Sequence, residues 1–415
     1  MKLLWIVGFV LPDAAKELDM EKIPFGGWVS EMIRELSKVD YIELAVAMKS
    51  PIKELKILKK DSIIYYYLPQ NSKDHFDVYV KDALFVMNDF NPDLLHAEGT
   101  EQSYTKTFLK NWNGSNVVSL QGIINGYEPY EYGGLPLIEI MFSGSLLNFL
   151  FALSLFLNKK VNFNKRLSKE IENILKAENI FGRTTWDRAH SYFYNEHASY
   201  FSIPRTLRPS FYKKDWNIKD MERFSIFIGN AASPRKGAHF VIKALSILKK
   251  EFPDVKVYIA GNKPHKESLV DWKKMIGYPT FLLRLIKKYK VENNIIFTGI
   301  LNEEEMANNL QHRHVYVMAS VIENSPNTLG EAMMMGVPSV ASYNGGVPDM
   351  AIDNTEVLFY RDNDPFMLAY KIRSIFLSDE KALEISENSK LRAAQTHDRK
   401  KNIKLLLNAY KTIVK

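Results

Sequence analysis

Val315-Tyr316-Val317-Met318-Ala319-Ser320-Val321-Ile322-Glu323-Asn324-Ser325-Pro326-Asn327-Thr328-Leu329-Gly330-Glu331-Ala332-Met333-Met334-Met335-Gly336-Val337-Pro338 reads as a buried strand, a loop and a short helix. The run Val315 to Met318 is apolar without alternation, as in a strand covered on both faces. Pro326 suits a first helical turn and Gly336-Val337-Pro338 its stop, so the helix begins just beyond Glu323 and carries Glu331. Two carboxylates eight residues apart then share one site with the helix-start amides of Asn327, Thr328 and Leu329 between them. A carboxylate can accept both hydroxyls of a ribose diol, and amides at a helix start can receive phosphate oxygens.

The same alternation extends outward from this stretch. Phe224 to Ile228, Lys256 to Ala260, Ile295 to Thr298 and Ser339 to Ala341 are strand candidates separated by helical patterns. An earlier series comprises Leu3 to Val10, Ile42 to Met48, Ser62 to Leu68, Leu94 to Ala97 and Val117 to Leu120, with another strand near Ile180. The chain therefore reads as α/β, two doubly wound, Rossmann-like sheets. Its 415 residues suit two domains of about 200 residues each. The break falls near Phe201 to Tyr212, where Pro204 and Pro209 interrupt the pattern, giving domains 1–205 and 206–396 with a final segment 397–415.

Composition narrows the chemistry. With 46% hydrophobic and 25% charged residues the chain is an ordinary globular one. It has no cysteine, which excludes disulfides, thiolate nucleophiles and Cys-ligated zinc and fits a reducing cytoplasm. A formal charge of +7 favours anionic partners without choosing among them. The apolar start Leu3 to Val10 breaks at Pro12-Asp13 and lacks a small-residue cleavage site, so it is read as a first strand.

In such sheets ligands sit beyond the carboxyl ends of the strands. After the first strand, Pro24-Phe25-Gly26-Gly27 precedes a helix, where glycines allow close backbone approach and the helix start favours an anion. No G-x-G-x-x-G is present, which argues against a nicotinamide or flavin site. After Phe224 to Ile228 comes Gly229-Asn230-Ala231-Ala232-Ser233-Pro234-Arg235-Lys236-Gly237, which can set Lys236 against a diphosphate.

These residues resemble the family 4 retaining glycosyltransferases, which have the two-domain GT-B fold facing a cleft. Glu323 to Glu331 looks like that family's E-x7-E motif, followed by its G-x-P and by Gly345-Gly346-Val347-Pro348. Arg235-Lys236-Gly237 is similar to its donor-phosphate loop, Gly26-Gly27 to its N-terminal glycine loop, and Phe297-Thr298-Gly299-Ile300 to the strand end that contacts the base. The resemblance implies metal-independent transfer of a sugar from a nucleoside-diphosphate sugar, with retention and without a cofactor. Glu331 then holds the ribose, Lys236 the diphosphate, and Glu323 contacts the sugar near the reacting centre. Arg235, Asn230 and Ile300 complete the donor site. The acceptor is a glycan or a lipid-linked glycan, and the pathway that of bacterial surface polysaccharide or glycolipid. It also implies that the helix opening at His397-Asp398-Arg399 crosses back onto the N-terminal domain.

The chain departs from this pattern at three places. Gly229-Asn230 stands where Gly-Arg is common, Gln121-Gly122 where a histidine is common, and His96 alone remains of an H-x-H. His96, Glu98 and Glu101 are candidates for positioning the acceptor, while the departing phosphate can take its proton. The departures also motivate a GT-B binding protein without turnover, and an epimerase or phosphorylase on the same fold is a further alternative. A nucleic-acid binder lacks a basic stripe with interleaved aromatics.

Other patterns have plainer readings. Asp362-Asn363-Asp364 matches a metal-binding D-x-D, but Asp364-Pro365 before a helix is an N-cap pattern. His312-Arg313-His314 places cations at a helix end and Met333-Met334-Met335 is core, while Arg183 is equally a cleft residue or part of an Arg-Asp pair with Asp187. Ile140 to Leu157 carries only Glu139 beside it and no charge within it, so it is a buried helix or one lying on an anionic cytoplasmic membrane. In the second case Leu146, Phe149, Leu153 and Phe156 insert, Ser145, Asn148 and Ala152 pack on the protein, and Lys159, Lys160, Lys165 and Arg166 meet headgroups, giving a peripheral surface over 140–166.

Overall fold

The computed structural model describes residues 1–20, 26–141, 146–264 and 277–414. Pro24, Phe25 and Ser145 lie outside them, as do the side chains of Leu146 and Asn148. The chain divides into two compact units: Met1–Gly126, Asn162–Thr206 and His397–Lys415 form one, and Tyr127–Val161 with Leu207–Thr396 the other.

The first unit holds β1 (Lys2–Val7), β2 (Glu43–Ser50), β3 (Lys56–Lys60), β4 (Ile63–Pro69), β5 (Leu94–Glu98), β6 (Asn116–Ser119), β7 (Asn179–Gly182) and β8 (Ser199–Ser202). Their order is β3-β4-β2-β1-β5-β6-β7-β8, and every pairing is parallel except β3 with β4. Leu3 to Val7 are buried on both faces, which is why β1 carries no polar alternation. The edge strand β3, Lys-Ile-Leu-Lys-Lys, is largely exposed, and its lysines discourage further strand pairing. That charge also hides it from a search for apolar runs.

The helix Arg399–Ile413 completes this unit. Leu406, Ala409 and Tyr410 enter the cluster formed by Leu3, Trp5, Val7 and Met48. Arg399 pairs with Glu31 at 3.1 Å, and the Arg205 carbonyl receives Asn402 Nδ2–H at 3.3 Å and lies 2.8 Å from His397 Nδ1.

The second unit holds β9 (Glu222–Ile228), β10 (Lys256–Ile259), β11 (Ile295–Phe297), β12 (Arg313–Met318), β13 (Ser339–Ser342) and β14 (Leu358–Tyr360). All pairings are parallel, in the order β11-β10-β9-β12-β13-β14. The order reverses between β9 and β12, so the loops after these two strands open side by side. Val321 N–H donates to the Arg235 carbonyl at 2.9 Å and ties the two loops together.

The apolar stretch expected at Ile140 to Leu157 is mostly part of the helix Leu146–Lys176. Among the described residues no helix is long and apolar enough to cross a membrane. Of the face expected to insert, Phe149, Leu153 and Phe156 are half-buried, and Phe156 packs on Tyr132 with ring centres 5.5 Å apart. Ala152 is buried, whereas Leu150, Leu155, Leu157 and Val161 are exposed. The periodicity established a stripe; which stripe faces outward depends on what the helix packs against.

Among the described residues four histidines are buried: His96 and His397 in the first unit, His239 and His314 in the second. Burial is the leading cause of each depression, holding the first two to about 3 and about 4, and the last two to about 3 and about 4. The unfolded chain binds these protons near pH 6.5 and the folded chain cannot, so stability present above that pH is lost as pH falls toward 4. Between pH 7 and pH 5 the expected loss is about 2 kcal/mol per histidine. Denaturant titrations at both pH values should show it, and His239→Gln should flatten the decline.

Candidate functional site

The two loops at the β9/β12 switch gather the residues singled out from the sequence. Glu323, at the end of the β12 loop, accepts from Lys236 Nζ at 2.5 Å. Burial raises the Glu323 pKa, but Lys236 and Arg235 more than offset it, and the carboxyl sits below its ordinary range. The backbone holds this carboxylate from behind: Glu323 N–H donates to Asn344 Oδ1 at 3.0 Å and Gly346 N–H donates to the Glu323 carbonyl at 3.0 Å. Gly345, at φ +51°, leaves no room for a side chain, since a Cβ there would stand 2.1 Å from that carbonyl oxygen. The Gly345-Gly346-Val347-Pro348 run is thus a backbone rest for Glu323.

The helix Asn327–Met334 follows, with Pro326 at its N-cap. Helix-start amides lack intrahelical acceptors and carry the positive end of the helix dipole. Thr328 Oγ1 is held by the Tyr316 hydroxyl at 2.8 Å. Glu331, 1% exposed, lies on this helix and is gripped by Arg208. Burial raises its pKa, Arg208 opposes and Glu303 reinforces the rise, which wins.

On the β9 side, Asn230 Oδ1 accepts from Ala232 N–H at 2.7 Å and shapes the loop that leads to Lys236. Gly237, at φ +71°, caps the helix Ala238–Leu248, and a Cβ there would meet the Ala319 carbonyl oxygen at 1.8 Å. Arg235 stacks over the Tyr127 ring at 4.6 Å, and the Tyr127 hydroxyl accepts from Asn324 N–H at 3.1 Å. Tyr127 therefore touches both loops.

A cleft of about 580 Å³ opens beside them, lined by Asn230, Ala232, Ile259, Gly261, Phe297 and Gly299 among others. Gly261 and Gly299 exchange backbone hydrogen bonds at 2.8 and 3.2 Å, pinching the ends of β10 and β11 together. Ile300 is 68% exposed. The cleft lining thus includes Asn230, Phe297 and Gly299, while Ile300, Glu331 and Lys236 lie outside it. Sequence reasoning missed Gly261, Asn262, Pro279 and Leu282, although the end of Lys256 to Ala260 was a place to look. Tyr127 and Arg208 carried no local signal.

The first unit places its candidates differently. His96 is 1% exposed, with Nδ1 2.6 Å from the Tyr410 hydroxyl and Nε2 2.6 Å from Ser119 Oγ. Trp5 Nε1–H donates to that same Tyr410 oxygen at 3.1 Å. Glu98, 2% exposed, receives Arg205 Nη2 at 2.9 Å, and Arg205 lies over the Trp28 ring at 3.5 Å. Burial pushes the Glu98 pKa up against the pull of Arg205. His96, Glu98, Trp28 and Arg205 enclose only about 20 Å³, room for one water. Glu101 is likewise held up by burial. His96 and Glu98 are interior groups, His96 joined to the last helix through Tyr410 and Glu98 to Arg205.

Gly26, at φ +82°, is the N-cap of the helix Gly27–Leu36, and the Phe9 ring occupies the place of a Cβ at 2.2 Å. Arg183 Nη2 donates to the Gln121 carbonyl at 3.1 Å, and its backbone N–H to Asp187 Oδ2 at 2.9 Å. Asp364 Oδ1 accepts from Phe366 and Met367 N–H at 3.1 and 3.0 Å, as a cap does. Among the described residues no group of three or more His, Asp or Glu is placed to hold a metal ion.

Both sheets and their helices match GT-B glycosyltransferase structures. The chain superposes on sucrose-phosphate synthase from Thermosynechococcus elongatus with a TM-score of 0.72 at 13% identity, covering 99% of each chain. Against Anabaena HepE in complex with UDP-glucose the score is 0.71 at 15% identity, covering 99% of this chain and 100% of that one. Residues 210–392 match the family model described as Glycosyl transferases group 1. Protein CapJ of Staphylococcus aureus is 30% identical over 42% of this chain and 44% of its own length. The uncharacterized glycosyltransferase YqgM of Bacillus subtilis is 27% identical over 46% of this chain and 49% of its own. The matched part thus spans just under half of either relative.

Gly237 gives a direct test of the loop geometry. Gly237→Ala should cost about 2 to 5 kcal/mol through strain and overlap. Gly229→Ala, whose nearest neighbour would be Met306 Cε at 3.5 Å, should stay close to wild type in the same denaturant titration.

Proposed function

We propose that this protein is a retaining glycosyltransferase that moves a sugar from a nucleoside-diphosphate sugar to a glycan or lipid-linked acceptor, in bacterial surface polysaccharide or glycolipid synthesis. The observation that carries this reading is the Lys236–Glu323 pair at 2.5 Å, joining the β12 loop to the β9 loop whose Asn230 lines the 580 Å³ cleft. HepE, a fold neighbour, is described in complex with UDP-glucose, which supports a uridine nucleotide as the first donor to test.

The base enters the cleft beside Gly261 and Phe297, and the ribose diol reaches Glu331. Lys236 leaves Glu323 for the diphosphate, where it and the amides of Asn327 to Leu329 stabilise the charge that develops as the glycosyl C1–O bond breaks. The sugar passes through an oxocarbenium-like state next to Glu323. The acceptor hydroxyl forms the new C1–O bond on the same face, and its proton goes to the departing phosphate oxygen. Positive groups and amides do the work that a divalent ion does elsewhere, so the reaction needs neither metal nor cofactor.

Thermal-shift screening against nucleotide sugars comes first: a donor at a hundred times its Kd should add about 2.7 kcal/mol of stability. With that donor, Lys236→Ala should abolish transfer and Glu331→Ala should lower kcat/KM roughly ten- to a hundredfold. EDTA should leave the rate unchanged; loss with EDTA and recovery with manganese would overturn the mechanism. Release of epimerised free sugar, or dependence on added phosphate, would favour the epimerase or phosphorylase alternative.

The setting of this reaction is the inner surface of an anionic membrane. Leu150, Leu155, Leu157 and Val161 stand exposed on one helix beside exposed Lys160 and Lys165. Lys159 pairs with Glu131, and Arg166 donates to the Glu101 carbonyl at 3.1 Å, so these two contribute less than the sequence suggested. The protein should pellet with anionic but not neutral vesicles and release in high salt. Leu150→Ser with Leu157→Ser should reduce pelleting; equal recovery with both vesicle types would remove the membrane.

A further inference from the structure

Arg208 sits in the linker just before Pro209. It is the residue that meets Glu331 directly: Nε donates to Oε1 at 2.7 Å and Nη2 to Oε2 at 2.8 Å. The backbone around it is fastened on both sides. Leu207 N–H donates to the Tyr212 hydroxyl at 2.9 Å, Ser210 N–H donates to Glu303 Oε1 at 2.7 Å, and the guanidinium lies 4.7 Å over the Phe211 ring. The fork is therefore set in place by its own segment before any ligand arrives.

An ionised carboxylate offers about four lone-pair positions. The fork takes one on each oxygen of Glu331 and leaves one on each. Because the fork occupies the two converging positions, the remaining ones point outward, one from each oxygen, and each can accept from a single hydroxyl. A neutral carboxyl would present a proton at one of them. Burial drives Glu331 toward that neutral form, and Glu303 pushes the same way. Resting on the assignment of Glu331 to the ribose, we propose that Arg208 is a positioning residue for nucleotide recognition. It keeps the Glu331 carboxylate charged and rotated so that one of its outward acceptors faces the 2′-hydroxyl. A lysine would restore the charge but not the planar fork, leaving rotation of the carboxylate unfixed.

A protein–ligand cycle tests this. Calorimetry measures Kd for UDP and GDP and for their 2′-deoxy counterparts, and the tighter of the two nucleotides is carried forward. In the wild type, removing the 2′-hydroxyl should weaken binding roughly ten- to a hundredfold. Glu331→Gln and Arg208→Gln should each shrink this ratio to about threefold or less, and Arg208→Lys should recover part of it. The ratio compares two ligands on one variant, so a general loss of stability does not move it. Should Arg208→Gln fail to fold, Arg208→Lys decides, since a full ratio there overturns the need for the fork. A full ratio in Arg208→Gln with a lost ratio in Glu331→Gln overturns the role of Arg208 and leaves the ribose assignment standing. A full ratio in both variants overturns the assignment itself and the inference with it.

Discussion

Glu323 and Glu331 are buried carboxylates on either side of one eight-residue helix start, and each is hydrogen-bonded to a cation, Lys236 and Arg208 respectively. Removing a carboxylate from water costs several kcal/mol unless a partner and hydrogen bonds replace the solvent. Lys236 and Arg208 meet that cost, and much of the second unit is arranged to bring them there. The φ of Gly237 turns the chain into the helix just after Lys236, and Gly345 lets the 345–348 turn press against the Glu323 carbonyl. Pro209 and the 303–311 helix fix the backbone that carries Arg208.

The two pairs differ in a way that matters for chemistry. The ammonium of Lys236 is a compact charge on a flexible stem, still 27% exposed, and can exchange one anion for another. The guanidinium of Arg208 is a rigid fork that fills two defined positions on its partner. One pair is suited to come apart when a more highly charged group arrives, and the other to persist through that event.

Much of the donor side was legible because its signals are local. Prolines and glycines at 326, 336 and 345 announce turns, and strands buried on both faces spell continuous apolar runs. β3 escaped because lysines hide it, and β8 because its four residues are half-buried or exposed and spell no apolar run; β14 also went unread. The pairing of Arg208 with Glu331 spans 123 positions, and nothing near either residue announces the other. His96 and Glu98 illustrate the opposite difficulty. Their place at a strand end is legible, but the helix that covers them comes more than 300 residues later, from Tyr410. The outward stripe on the Leu146–Lys176 helix was legible only as a period for the same reason, since periodicity is blind to which neighbour arrives.

That late cover has a consequence for the making of the protein. Trp5, His96 and Tyr410 form one hydrogen-bonded chain, yet Tyr410 leaves the ribosome more than 300 residues after His96. Until residues 399–413 emerge, the first sheet has an unfilled apolar face and a buried imidazole without its phenol. The stretch 207–396, by contrast, is fully synthesised before the last helix appears. The first unit therefore waits for residues 399–413 with an apolar face that a chaperone can hold.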